Sequence, residues 1–117
     1  MVVKYHTNRR EDIKGFEIDM DVYNDVLSQD THQSMNTMRS LSDSLNFDKN
    51  KVGIMGFSAG SYIAQLLLYR DSNEGLKSIP NFAALIYIND FIERFDNADE
   101  PENLPPLFLA TTSNDYR

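Results

Sequence analysis

The sequence predicts an α/β fold, a mostly parallel sheet with flanking helices, and three observations predict it. Short apolar runs of strand length alternate with segments of helical period, in the order strand, helix, strand, helix, strand, strand. The run at 82–88 is continuously apolar, which suits a strand covered on both faces, and 107–110 reads as another short buried strand. The segment 62–70 is apolar nearly all round, the pattern of a helix buried on more than one side.

Taken in order, Val2, Val3, Lys4 and Tyr5 make a β-branched and aromatic run that reads as a short strand. Residues 6–29 are polar with poor periodicity and read as an irregular insert, although 17–23 alternate acidic with apolar. Helical period begins near Asp30, with Met35, Met38, Leu41 and Leu45 on one face and Ser28 or Asp30 as the cap. A polar turn at 46–50 carries one buried anchor, Phe47. Val52, Ile54, Met55 and Phe57 then form the sharpest strand signal, and turn-forming residues at 71–75 end the helix that follows. Residues 89–103 are acidic and loop-like, with Phe91, Ile92 and Phe95 able to form one amphipathic turn. Pro105 and Pro106 make a rigid lead-in to the last strand, 107–110. Met35, Met38 and Met55 read as core fillers, and Tyr69 and Tyr87 as packing residues.

The composition narrows the function. A chain of 117 residues suits a single domain, and 41% apolar residues are enough for a core. With 18 acidic against 11 basic side chains the net charge is -7, and the pI is about 4.6. That balance argues against nucleic acid or an anionic membrane as partner. The absence of cysteine excludes disulfides, thiolate zinc sites and a cysteine nucleophile. Two histidines, His6 and His32, leave little room for a histidine metal cluster, and neither a metal nor a cofactor is expected. The apolar start runs straight into His6, Asn8, Arg9 and Arg10, unlike a secretory signal, and no apolar run approaches the roughly 18 residues of a membrane span. As it stands the chain reads as soluble and cytoplasmic, with its compartment otherwise undetermined.

One motif carries chemistry. Gly56-Phe57-Ser58-Ala59-Gly60 is G-x-S-x-G between a predicted strand and a predicted helix, the context of a nucleophile elbow. The serine of such a turn sits on strained backbone, and small residues two positions away, Gly56 and Gly60, let strand and helix approach. The turn exposes the Ser58 hydroxyl at the carboxyl end of the strand and puts the Ala59 N–H at a helix N-terminus, aimed at a developing oxyanion. The bland alternative is a glycine-serine turn without chemistry. Phosphate-loop readings fail, because Gly53, Gly56 and Gly60 do not fit G-x-G-x-x-G and no Gly-Lys-Ser/Thr follows.

On these residues, Val52 through Gly60 resembles the serine-nucleophile segment of the α/β-hydrolase superfamily, most of all its esterase and lipase-like members, which include acetylxylan esterases and other carbohydrate deacetylases. The helix from Asp30 to Arg39 and the turn Phe47-Asp48-Lys49 resemble the family's helix before the nucleophile strand. Pro80 to Ile88 looks like the next core strand, and Pro105 to Leu109 like the strand that delivers the acid. Residues 2–5 are similar to the strand that precedes the block. The resemblance implies a partial α/β-hydrolase fold, incomplete at both ends, as one domain over 1–117 with the strand, elbow and helix at 52–70. It also implies Ser58 as nucleophile, Asp115 as triad acid and Ala59 N–H in the oxyanion hole, acting on small acyl or acetyl esters, those on carbohydrates included. Ser61 departs from the glycine that many relatives carry.

The family's triad runs serine, acid, histidine, yet only Tyr116 and Arg117 follow Asp115. His6, just after the first strand, is the better substitute base, and His32 is placed away from the elbow. Two readings stay open: a serine esterase whose base is missing from this chain, and a non-catalytic hydrolase remnant acting as a binding module or without function. A sheet edge exposed at 2–5 would invite a homo-oligomer.

Overall fold

A stretch of 21 residues without glycine or proline forms the first helix, α1 (Met20–Ser40), in the computed structural model, which describes residues 1–5, 20–73, 78–88 and 104–112. α1 starts well before the expected Asp30, and the polar residues of its buried stripe explain why. Leu27, Thr31 and Met35 fall four apart and are all buried. Thr31 is admitted because its hydroxyl donates to the Leu27 carbonyl at 2.7 Å, within the helix. Ser28 and Asp30, expected as caps, therefore lie inside the helix. The stripe expected at Met35, Met38, Leu41 and Leu45 breaks up, since the chain turns at Leu41 into the short helix α2 (Ser42–Leu45). Leu41 and Leu45 are exposed as a result. Asn46 ends α2 in the left-handed region, φ 53°, with its N–H on the Ser42 carbonyl. Phe47 then packs against Met35, Val52 and Leu67, as an anchor should.

Three strands make one parallel sheet in the order β1 (Gly53–Phe57), β2 (Phe82–Ile86), β3 (Leu107–Ala110). Parallel neighbours need a crossover, and helix α3 (Ala59–Asn73) supplies it between β1 and β2. Ala64 and Leu68 of α3 pack with Ala83 and Leu85 of β2, and Ile54 and Leu107 close the cluster. The two alanines let helix and sheet approach closely. On its other side α3 meets α1, where Ile63 and Leu66 pack on Leu27, and Leu67 on Met35. The helix that is apolar all round is thus clasped between sheet and α1.

The sheet differs from expectation in one respect that matters. Among the described residues only the face toward α3 is covered, and at β3 that cover is incomplete, leaving Leu109 exposed. β2, expected to be covered on both faces, exposes Phe82, β3, expected to be buried, exposes Phe108, and Met55 of β1 is exposed rather than a core filler. An apolar run announces a strand but does not say how many layers lie against it. Residues 2–5 form no strand; Val2 is exposed and Tyr5 packs against Leu27, Ile63 and Leu66. The expected edge at 2–5 is absent accordingly, and the outer strands among the described residues are β1 and β3.

Arg39 pins the lower end of this assembly. Its guanidinium donates to the Ile79 carbonyl at 2.7 Å, to the Lys49 carbonyl at 3.3 Å and to Asn81 Oδ1 at 3.4 Å. Asn81 in turn accepts the Val52 N–H at 3.1 Å and donates its own N–H to the Val52 carbonyl at 2.8 Å. One charged group thus joins α1 to the starts of β1 and β2. Arg39→Ala is expected to cost about 1–3 kcal/mol, read as a lower urea midpoint at unchanged slope.

Candidate functional site

The site is the turn between β1 and α3, and its shape begins with Gly56. That residue is buried, and a Cβ there would run into the Gly60 carbonyl and the Ser61 nitrogen, so the strand enters the helix with no room for a side chain. Gly60 is different. A Cβ on it would meet nothing within 4 Å, so the need for smallness that the motif assigned to both glycines falls on Gly56 alone.

Ser58 follows at φ 50°, in the left-handed region, and is exposed. For a residue with a Cβ that conformation costs roughly 1–2 kcal/mol, so neighbouring contacts must hold it. The Ser58 N–H donates to the Ile86 carbonyl at 2.9 Å, which ties the turn to the end of β2. The Ser58 carbonyl accepts the N–H groups of Ser61 at 2.8 Å and Tyr62 at 3.2 Å, which starts α3. Ser61, fully buried, completes the clamp: its hydroxyl accepts the Ile86 N–H at 3.0 Å. The same hydroxyl lies 2.6 Å from the Gly56 carbonyl and 2.7 Å from that of Ile86, and its single proton serves one of them at a time. A glycine at 61 offers none of these bonds. At this position the serine builds structure.

Ala59 opens α3, so its N–H is among those that no carbonyl of the helix accepts. The first turn holds no acidic residue to offset the positive end of the helix dipole. Ser58 hydroxyl and Ala59 N–H therefore come together at the carboxyl edge of the sheet, where ligands of open parallel sheets bind.

Among the described residues no other expected site residue stands beside Ser58 and Ala59. Asp115 and His6 lie outside the described residues. His32 sits on α1, eight residues beyond Asn24, whose side chain accepts the Tyr62 hydroxyl at 2.9 Å beside the start of α3. At 1.5 Å per residue that is about 12 Å down the helix, away from the elbow.

Two residues join the edge that the sequence did not mark. Phe57 and Ile86 are partners across β1 and β2, and Ile86 and Ala110 across β2 and β3. The next positions, Ser58, Tyr87 and Thr111, therefore form one row along the carboxyl edge. Tyr87, expected to pack, is instead exposed and left-handed at φ 57°, its N–H donating to the Ala110 carbonyl at 2.8 Å. Strained backbone of this kind is concentrated at functional sites, but no sequence signal marks a tyrosine for positive φ.

Among the described residues no group of three or more His, Cys, Asp or Glu could hold a metal ion, and no helix is long and apolar enough to cross a membrane. In comparison with known proteins the chain matches no family model, no curated protein and no solved structure. What the structure shows is a generic architecture, a small parallel α/β sheet with flanking helices.

Proposed function

We propose that the chain carries the nucleophile elbow of a serine carboxylic-ester hydrolase acting on small acyl or acetyl esters, carbohydrate acetates among them. The observation that carries this reading is the exposed serine held at φ 50° between a parallel strand and a helix N-terminus. In that reading the Ser58 oxygen attacks the ester carbonyl and its proton passes to a histidine base. The tetrahedral oxyanion accepts a hydrogen bond from the Ala59 N–H, the alcohol leaves, and water releases the acid from the acyl serine. Asp115 would orient the base. The substrate class rests on the resemblance of residues 52–60 to esterases, and the chemistry needs no cofactor.

A second reading is favoured by a specific observation, the position of His32 well down α1. Without a base the serine loses on the order of a hundredfold or more in rate, and the chain is then a non-catalytic binding module on the same architecture. Intact-mass spectrometry after exposure to a fluorophosphonate separates the two. One adduct per chain is expected on the wild type and none on Ser58→Ala. A folded wild type that takes up no more probe than the variant removes the hydrolase reading and leaves the module.

A further inference from the structure

The sheet face turned away from α3 carries Met55, Phe57, Phe82, Ala84, Ile86 and Phe108, and among the described residues no polar or charged side chain of the strands interrupts it. Met55 is 64% exposed, Phe57 58%, Phe82 49% and Phe108 62%. At roughly 200 Å² of surface per phenylalanine, these four leave on the order of 450 Å² of apolar surface in one patch. The patch has relief. Met55, Ala84 and Phe108 are partners across the three strands, so the smallest side chain lies between two large ones. The low point is local to Ala84, since Phe82 and Ile86 stand before and after it on the same face of β2.

We propose that this face is the two-fold interface of a homodimer, two sheets stacked face to face with α1 and α3 outside. Three arguments select a second copy as the occupant. An interface core is about 65% apolar, so a patch of this size implies about 700 Å² per copy. The total of about 1,400 Å² lies within the range of stable specific interfaces. A two-fold axis, the commonest symmetry of soluble oligomers, sets the apolar patch of one copy against the same patch of the other, and stacked sheets pack about 10 Å apart with side chains interdigitated. An uncharged face also gives a charged partner nothing to pair with. The opposing term is the net charge of -7 on each copy, which makes the dimer tighten as salt is added.

Analytical ultracentrifugation of the full chain tests this. The wild type is expected to sediment at micromolar concentration with twice the 13.5 kDa chain mass, and its dissociation constant is expected to fall with added salt. Met55→Lys and Phe108→Lys are each expected to weaken the dimer by about 100-fold or more, with the far-UV circular dichroism of the wild type. Should a lysine variant lose that spectrum, Met55→Gln and Phe108→Gln decide in its place. A dimer indifferent to substitutions at both positions overturns the proposal, and so does open-ended growth into larger species. A wild type monomeric at every concentration overturns it as well. In that case binding of a hydrophobic dye marks the face as a site for another partner, and no binding shows that the chain covers it itself.

Discussion

Ser58→Gly is expected to unfold at a higher urea concentration than the wild type while losing all reaction with fluorophosphonate. Ser58 is held at φ 50°, which costs a residue with a Cβ about 1–2 kcal/mol and costs glycine nothing. Glycine returns about 0.5–1 kcal/mol of that through the greater freedom of its unfolded chain. The exposed hydroxyl contributes little to stability where it stands. The net gain is about 0.5–1 kcal/mol. Ser58→Ala keeps the strain and is expected to match the wild type within about 0.5 kcal/mol, while being as unreactive as the glycine variant. Urea melts of the three proteins, run beside intact-mass labelling, separate backbone strain from chemistry. Equal stability of the alanine and glycine variants would show that the turn stores no strain.

Gly56→Ala is expected to be the most damaging single methyl group in the turn, costing about 3 kcal/mol. The colliding atoms belong to the backbone of Gly60 and Ser61, so no side chain can rotate away and either β1 or α3 must move. The stability of a domain is typically about 5–15 kcal/mol, and this loss is a large part of it. Gly60→Ala, four residues on, is expected to do the reverse. Its new Cβ meets nothing within 4 Å, and position 60 belongs to α3. Relief of glycine's helix penalty then stabilises by up to about 1 kcal/mol. Thermal and urea unfolding of both variants check the contrast, and equal losses at the two positions would refute the geometry given for Gly56.

The strand, turn and helix around Ser58 were legible because their determinants are contiguous. Gly56, Ser58 and the apolar runs on either side spell a strand, a tight turn and a helix within twenty residues, and β1 and α3 form there. The first half of α1 was not legible, because Ser28 and Thr31 are buried in it and their polarity hides the period. Only the helix geometry that brings the Thr31 hydroxyl to the Leu27 carbonyl makes that burial affordable.

Sequence by itself determined the α/β class, the strand-turn-helix around Ser58 and the acidic, cysteine-free composition, since each depends on local pattern or on counting. Tertiary structure decided the rest. Whether Gly56 or Gly60 must be glycine depends on which one the helix backbone approaches. The roles of Ser61 and Tyr87 depend on the end of β2, 25 residues along the chain for the Ser61–Ile86 bond. The open face of Met55, Phe82 and Phe108 follows from α3 and α1 packing together on one side of the sheet. A strand's alternation puts side chains on two faces, but which face is covered is set by where distant helices come to rest.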